Sequence, residues 1–102
     1  MDGKGDTVLN KRAKGRQNEY RSRAILEQAG YYVIRAAGSY GFWDLIGIGT
    51  QDIILVQVKT RDWPGSDQIE YLTNFPVPSN CQKLIHRWQN RGRVPEVMKL
   101  TE

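Results

Sequence analysis

Hydrophobic side chains along this chain fall into short blocks that differ in period. From Gly15 to Ala29, Ser22, Ile25, Leu26 and Ala29 gather on one side at about 100° per residue, which predicts a helix. Gly30 follows, at the C′ position where a left-handed residue closes a helix. Tyr31 to Ala36 (YYVIRA) is largely β-branched and aromatic and reads as a short strand. After a turn or mobile loop at Ala37 to Gly41, two more strands follow, Phe42 to Ile48 and Asp52 to Thr60. A tight Gly49-Thr50-Gln51 connection joins them into a hairpin. Their near-continuous apolar runs predict central strands covered on both faces.

Residues 61–80 contain Pro64, Pro76 and Pro78 with few periodic signals, and read as a long loop. Asn80, a good cap, opens a second predicted helix that runs to Arg91 with Leu84, Ile85 and Trp88 on its buried side. Val94 to Leu100 forms the last predicted strand. Pro95 stands near its start, where a missing N–H is tolerated. The predicted order is α-β-β-β-α-β, an α/β domain with a mixed central sheet flanked by helices.

A chain of 102 residues suits one compact domain. Residues 1–14 read as a basic flexible leader and 15–102 as the folded unit. No apolar run approaches the ~20 residues needed to span a membrane, and the N-terminus lacks a secretory signal. Cys81 is alone, which suits the reducing cytoplasm. One Cys and one His, His86, argue against a structural zinc cluster. The glycines of the leader make no phosphate loop, so no nucleotide cofactor is expected.

The net charge of +4 is unevenly placed. Residues 1–23 hold seven basic side chains against three acidic ones, which leaves the rest of the chain neutral overall. Such an arm suits nucleic-acid phosphates, and equally suits a solvated leader.

Four polar residues stand where apolar ones would be expected: Glu19, Asp44, Gln57 and Lys59. Strand alternation puts Gln57 and Lys59 on the same face, following Ile53 and Leu55. The hairpin turn lies about midway between Asp44 and this pair, so it brings the aspartate alongside them. Glu19, at the edge of the first helix's apolar stripe, closes the cluster from above. A hard cation such as Mg²⁺ prefers oxygen ligands of this kind, and a neighbouring lysine suits phosphodiester hydrolysis.

The segments GRQNEYRSRAILEQAGYYVIRAAGS, WDLIGIG and ILVQVK resemble the archaeal-type Holliday junction resolvases of the PD-(D/E)XK nuclease superfamily. The resemblance runs from about Gly15 to Thr60 and implies a restriction-endonuclease-like fold. It implies that Glu19 is the helix acid, Asp44 the motif aspartate, and Lys59 the motif lysine. Ser39 is similar to a serine that some of these resolvases carry in a mobile loop. Trp43 stands where the motif has proline, and Gln57 where it has a second acid, a variant similar to that of Mrr-type nucleases.

The expected metal ligands are Glu19, Asp44, Gln57 and the Val58 carbonyl, holding Mg²⁺ with Mn²⁺ as a substitute. Arg12, Lys14, Arg16, Arg21, Arg23 and Arg61 are the expected DNA contacts. Branched DNA and a homodimer follow from the same resemblance. The alternatives are a catalytically silent DNA-binding module on this fold, and a flap or duplex nuclease of a phage or mobile element.

Each residue also has a structural reading. Glu19 suits a helix ion pair with Arg23, Asp44 a turn, and Gln57 with Lys59 the exposed face of an edge strand. His86 reads as a solvated helix histidine and Trp88 as core, while Trp63 is the tryptophan best placed for a nucleic-acid or partner contact.

Overall fold

The computed structural model describes residues 3–36 and 41–101, with side chains from residue 12 onward. The elements are α1 (Gly3–Gln28), β1 (Tyr32–Arg35), β2 (Leu45–Ile48), β3 (Ile53–Thr60), α2 (Ser66–Thr73), β4 (Cys81–Trp88) and β5 (Glu96–Lys99). The five strands form one mixed sheet in sequential order. β3 and β4 run parallel, and the other neighbouring pairs are antiparallel. A parallel pair needs a crossover, and the segment containing α2 supplies it. The α/β class and mixed sheet are those read from the sequence; the order gains a strand, α-β-β-β-α-β-β.

The second half of the chain departs from expectation in two places. Ser66–Thr73, inside the segment read as a loop, is helix α2; Cys81–Trp88, read as a helix, is strand β4. The cause is burial on both faces of β4. Lys83 and Ile85 lie on one side and Leu84, His86 and Trp88 on the other. Lys83 and His86 are both buried, so polar residues interrupt each stripe and the strand has no clean alternation. Lys83 is satisfied by the carbonyls of Thr73 and Phe75, where its ammonium caps the end of α2.

Helix α1 begins at Gly3, well before Gly15, so helical backbone takes in most of the segment read as a leader. It ends as the sequence indicates. Gly30 has φ of 99°, its N–H bonds the Glu27 carbonyl, and the Tyr31 N–H bonds the Leu26 carbonyl, which together make a Schellman motif. Among the described side chains of α1, Asn18, Ser22 and Leu26, four residues apart, are buried; Ile25 and Ala29 are exposed.

With one large apolar side chain among those three, much of the docking is polar. The Trp88 indole N–H donates to Ser22 Oγ at 2.8 Å, and Ser22 Oγ lies 2.9 Å from His86 Nδ1. The Ser22 hydroxyl thus bridges the Trp88 and His86 rings from α1. His86 is therefore a buried strand residue and not a solvated helix histidine; burial pulls its pKa down to about 4.

Two cores sandwich the sheet. Leu26, Val33, Leu45, Ile54 and Val56 fill the α1 side, and Trp43, Leu72, Ile85 and Leu100 fill the α2 side.

Candidate active site

The β2–β3 hairpin sets the geometry. Its register pairs Leu45 with Val56, the residues that follow Asp44 on one strand and precede Gln57 on the other. The Asp44 main-chain N–H donates to the Val56 carbonyl at 2.8 Å, and the Val58 N–H donates to Asp44 Oδ2 at 2.7 Å. Asp44 is thus clamped to β3 through both backbone and side chain. Burial pushes its pKa up, against the Val58 hydrogen bond; Glu19 raises it further, while Lys59 and Arg35 pull it down. One carboxylate therefore feels charges carried by α1, β1 and β3.

Gln57 is 6% exposed, and its Oε1 is buried with no hydrogen-bond partner among the described residues. Leaving such an acceptor unpaired costs about 1–3 kcal/mol, and native proteins hold few of them. A cation would supply what this oxygen lacks. Lys59 follows two residues on along β3 and is half-buried. Glu19 accepts from Arg35 Nε at 2.9 Å, so its structural partner is Arg35 and not Arg23, which pairs with Glu27 at 3.1 Å.

Among the described residues, no three His, Cys, Asp or Glu side chains gather as a metal-binding group. The donors available here are two carboxylates, the Gln57 amide oxygen and the Val58 carbonyl, all hard oxygens. That set fits Mg²⁺ or Mn²⁺ and does not fit a structural zinc.

The remaining expected residues are dispersed. Ser39 lies outside the described residues. Arg12, Lys14 and Arg16 are exposed on α1. Arg21 is half-buried, its guanidinium 3.9 Å from the centroid of the Trp88 ring and donating to the Gly92 carbonyl. Arg61 is exposed in a left-handed conformation, with φ of 72°. Trp63 is half-buried against the α2-side core with Arg87 4.8 Å from its ring centroid, and Trp88 is core. The sequence reading missed Arg35, whose signal was a lone cation closing an apolar strand. It also missed Asn18, whose Nδ2 donates to Thr60 Oγ1 at 2.9 Å across from α1 to β3.

No family model and no curated protein matches this chain. Among solved structures, it is similar to Archaeoglobus fulgidus Hjc, a Holliday junction resolvase from an archaeal hyperthermophile. The TM-score is 0.67 at 21% identity, over 85% of this chain and 73% of the other. The chain has the fold of an archaeal Holliday junction resolvase. The resemblance read from Gly15 to Thr60 therefore extends, at the level of fold, to the half of the chain whose elements were misread. Within that fold, the hairpin brings Asp44, Gln57 and Lys59 to the carboxyl end of β3, and Arg35 holds the helix glutamate. The carboxyl ends of parallel strands are where α/β sheets commonly build their sites.

Proposed function

We propose that this chain is a Mg²⁺-dependent DNA endonuclease, selective for branched DNA in the manner of a Holliday junction resolvase. The observation that carries this reading is the buried Gln57 oxygen, unpartnered among the described residues, on the strand to which Asp44 is clamped. The fold shared with a junction resolvase is the reason for choosing branched DNA as substrate.

Asp44, Glu19, Gln57 Oε1 and the Val58 carbonyl would hold the cation, with Mn²⁺ able to replace Mg²⁺. When bound, it supplies Lewis acidity toward water and the scissile phosphate. Val58 fixes Asp44 through its N–H, so the carboxylate keeps one orientation whether or not it is loaded. Lys59 orients the attacking water and offsets charge developing on the phosphate. Arg35 holds Glu19 near the site and competes with the cation for it. Arg12, Lys14, Arg16, Arg21, Arg23 and Arg61 steer DNA toward this end of the sheet. Resolving a junction requires two cuts, which a C₂ homodimer provides.

A catalytically silent DNA-binding module is the second reading. The Glu19–Arg35 pair and the neutral Gln57 favour it, because both reduce the negative charge offered to a cation. Cleavage of labelled four-way junction, flap, single-stranded and linear duplex DNA with Mg²⁺, Mn²⁺ or EDTA separates the two. Paired symmetrical junction cuts, lost with EDTA and in Asp44→Asn and Lys59→Ala, are the expected result. Cleavage of flap or duplex DNA would keep the chemistry and change the substrate. Salt-sensitive binding with no cleavage would leave the silent module.

A further inference from the structure

Two cation-lined hollows lie at the carboxyl ends of the parallel strands β3 and β4. One, of about 350 Å³, has Lys14, Asn18 and Arg21 of α1 on one wall and Thr60, Gln89 and Arg91 on the other. The second, of about 330 Å³, is lined by Arg61, Arg87, Gln89 and Asn90. They share Gln89 and Asn90, so they are contiguous, and among the described residues neither has a carboxylate in its lining. A hollow elsewhere on the surface, at α2, has Asp67 and Glu70 in its lining instead.

Backbone conformation marks the same place independently. Arg61 and Arg91, with φ of 72° and 65°, are the positive-φ residues other than glycine among those described. A bulky side chain is rarely found there, where glycine fits without steric penalty. Each of these arginines lines one of the two hollows. Strain kept at two adjacent positions, both cationic, points to a use for the side chains.

From these features we infer that the hollows hold consecutive phosphodiesters of the DNA strand that flanks the cut, a subsite separate from the metal ligands. This inference rests on the endonuclease reading. The lining favours the backbone over the bases: the aromatic face nearest the first hollow, Trp88, is covered by the Arg21 guanidinium. Guanidinium and ammonium groups suit phosphate oxygens, and Gln89 and Asn90 amides can donate to the same groups.

Position connects the subsite to the chemistry. Asn18 and Thr60 are the sequence neighbours of Glu19 and Lys59, and their hydrogen bond ties α1 to the end of β3 in the wall of the first hollow. A strand whose scissile phosphate lies at Asp44 and Lys59 passes over that hydrogen bond into the hollow beside Arg91. Its path is fixed without any sequence being read.

Binding of the full-length chain to a labelled four-way junction across a salt series tests this. The variants are Lys14→Ala with Arg91→Gly, and Arg93→Ala, an exposed cation outside both hollows, as control. The double variant should bind at least about tenfold more weakly, with the slope of log affinity against log salt shallower by about 2. Its Tm should not fall, since glycine relieves the left-handed backbone at position 91. An unchanged slope, or an equal loss in Arg93→Ala, would overturn the subsite. If the wild type cleaves the junction while the double variant binds unchanged, the subsite falls and the nuclease reading stands. If the wild type binds no DNA, both fall.

Discussion

The two ends of β3 each have an aspartate beside them, in opposite circumstances. Near the amino end, Asp52 accepts from the Tyr31 hydroxyl at 2.8 and 2.9 Å and from Gln82 Nε2 at 2.7 Å. The hydrogen bond to Asp52 raises the pKa of Tyr31, which keeps the phenol a donor. Near the carboxyl end, Asp44 accepts from the Val58 N–H, and burial pushes its pKa up. The Gln57 oxygen there has no partner, and Arg61 holds a left-handed backbone. One end is complete within the protein and fastens the hairpin turn. The other leaves the Gln57 oxygen for a cation to meet, and its neighbouring hollows offer cationic side chains that a phosphate would meet.

The largest effect that separates the ends should come from Asp44→Asn. Cleavage should fall by about 10²–10³-fold, because a ligand for the cation loses its charge. The metal-free protein should become more stable at the same time. Asp44 has a raised pKa in the fold, so above the ordinary carboxylate range the folded state pays to keep it ionised; the amide removes that cost while its oxygen still accepts from Val58. A single set of thermal melts beside the kinetic assay checks both signs.

Acid should weaken the carboxyl end next. His86, paired in register with Val58, titrates near 6.5 when unfolded and at about 4 in the fold. Between these values the unfolded state binds more protons, so stability falls as pH drops through 6.5 toward 4. The loss reaches up to about 3 kcal/mol in urea unfolding at pH 7 and pH 4. His86→Gln should flatten this dependence.

At the amino end, a Cβ added to Gly49 would lie 2.8 Å from Tyr31 Cε1 and 3.0 Å from Asp52 Oδ1. Gly49→Ala should destabilise by about 1–3 kcal/mol. Cleavage per folded molecule should not change, as seen by comparing urea unfolding with activity below the transition. The smallest expected change is Gln57→Glu, which should tighten Mn²⁺ binding by about tenfold in calorimetric titration, since a charged oxygen replaces a neutral one.

The first half of the fold was legible because its signals are local. Gly30 announces a Schellman end, and the apolar runs of β2 and β3 lead to a hairpin that brings Asp44 against β3. The second half was not, because its decisive groups are paired through tertiary contacts. Lys83 reads as a surface cation until α2 presents two carbonyls to it, and His86 reads as solvated until Ser22 reaches it from α1. With β4 taken for a helix, Leu84, Ile85 and Trp88 fitted helical spacing, and the hollow beyond its end had no place in the reading. The metal cluster was proposed from four positions, but the Arg35 partner of Glu19 needed the structure. It depends on which face of α1 meets β1.

The claim that the carboxyl end of β3 is built to take a cation is tested most directly by Mn²⁺ titration followed through thermal stability. The proteins to compare are the wild type, Asp44→Asn and Asp52→Asn. The account predicts a concentration-dependent rise in Tm for the wild type, its loss in Asp44→Asn, and its survival in Asp52→Asn despite a lower starting Tm. An equal rise in Asp44→Asn, or no rise in the wild type, would contradict it.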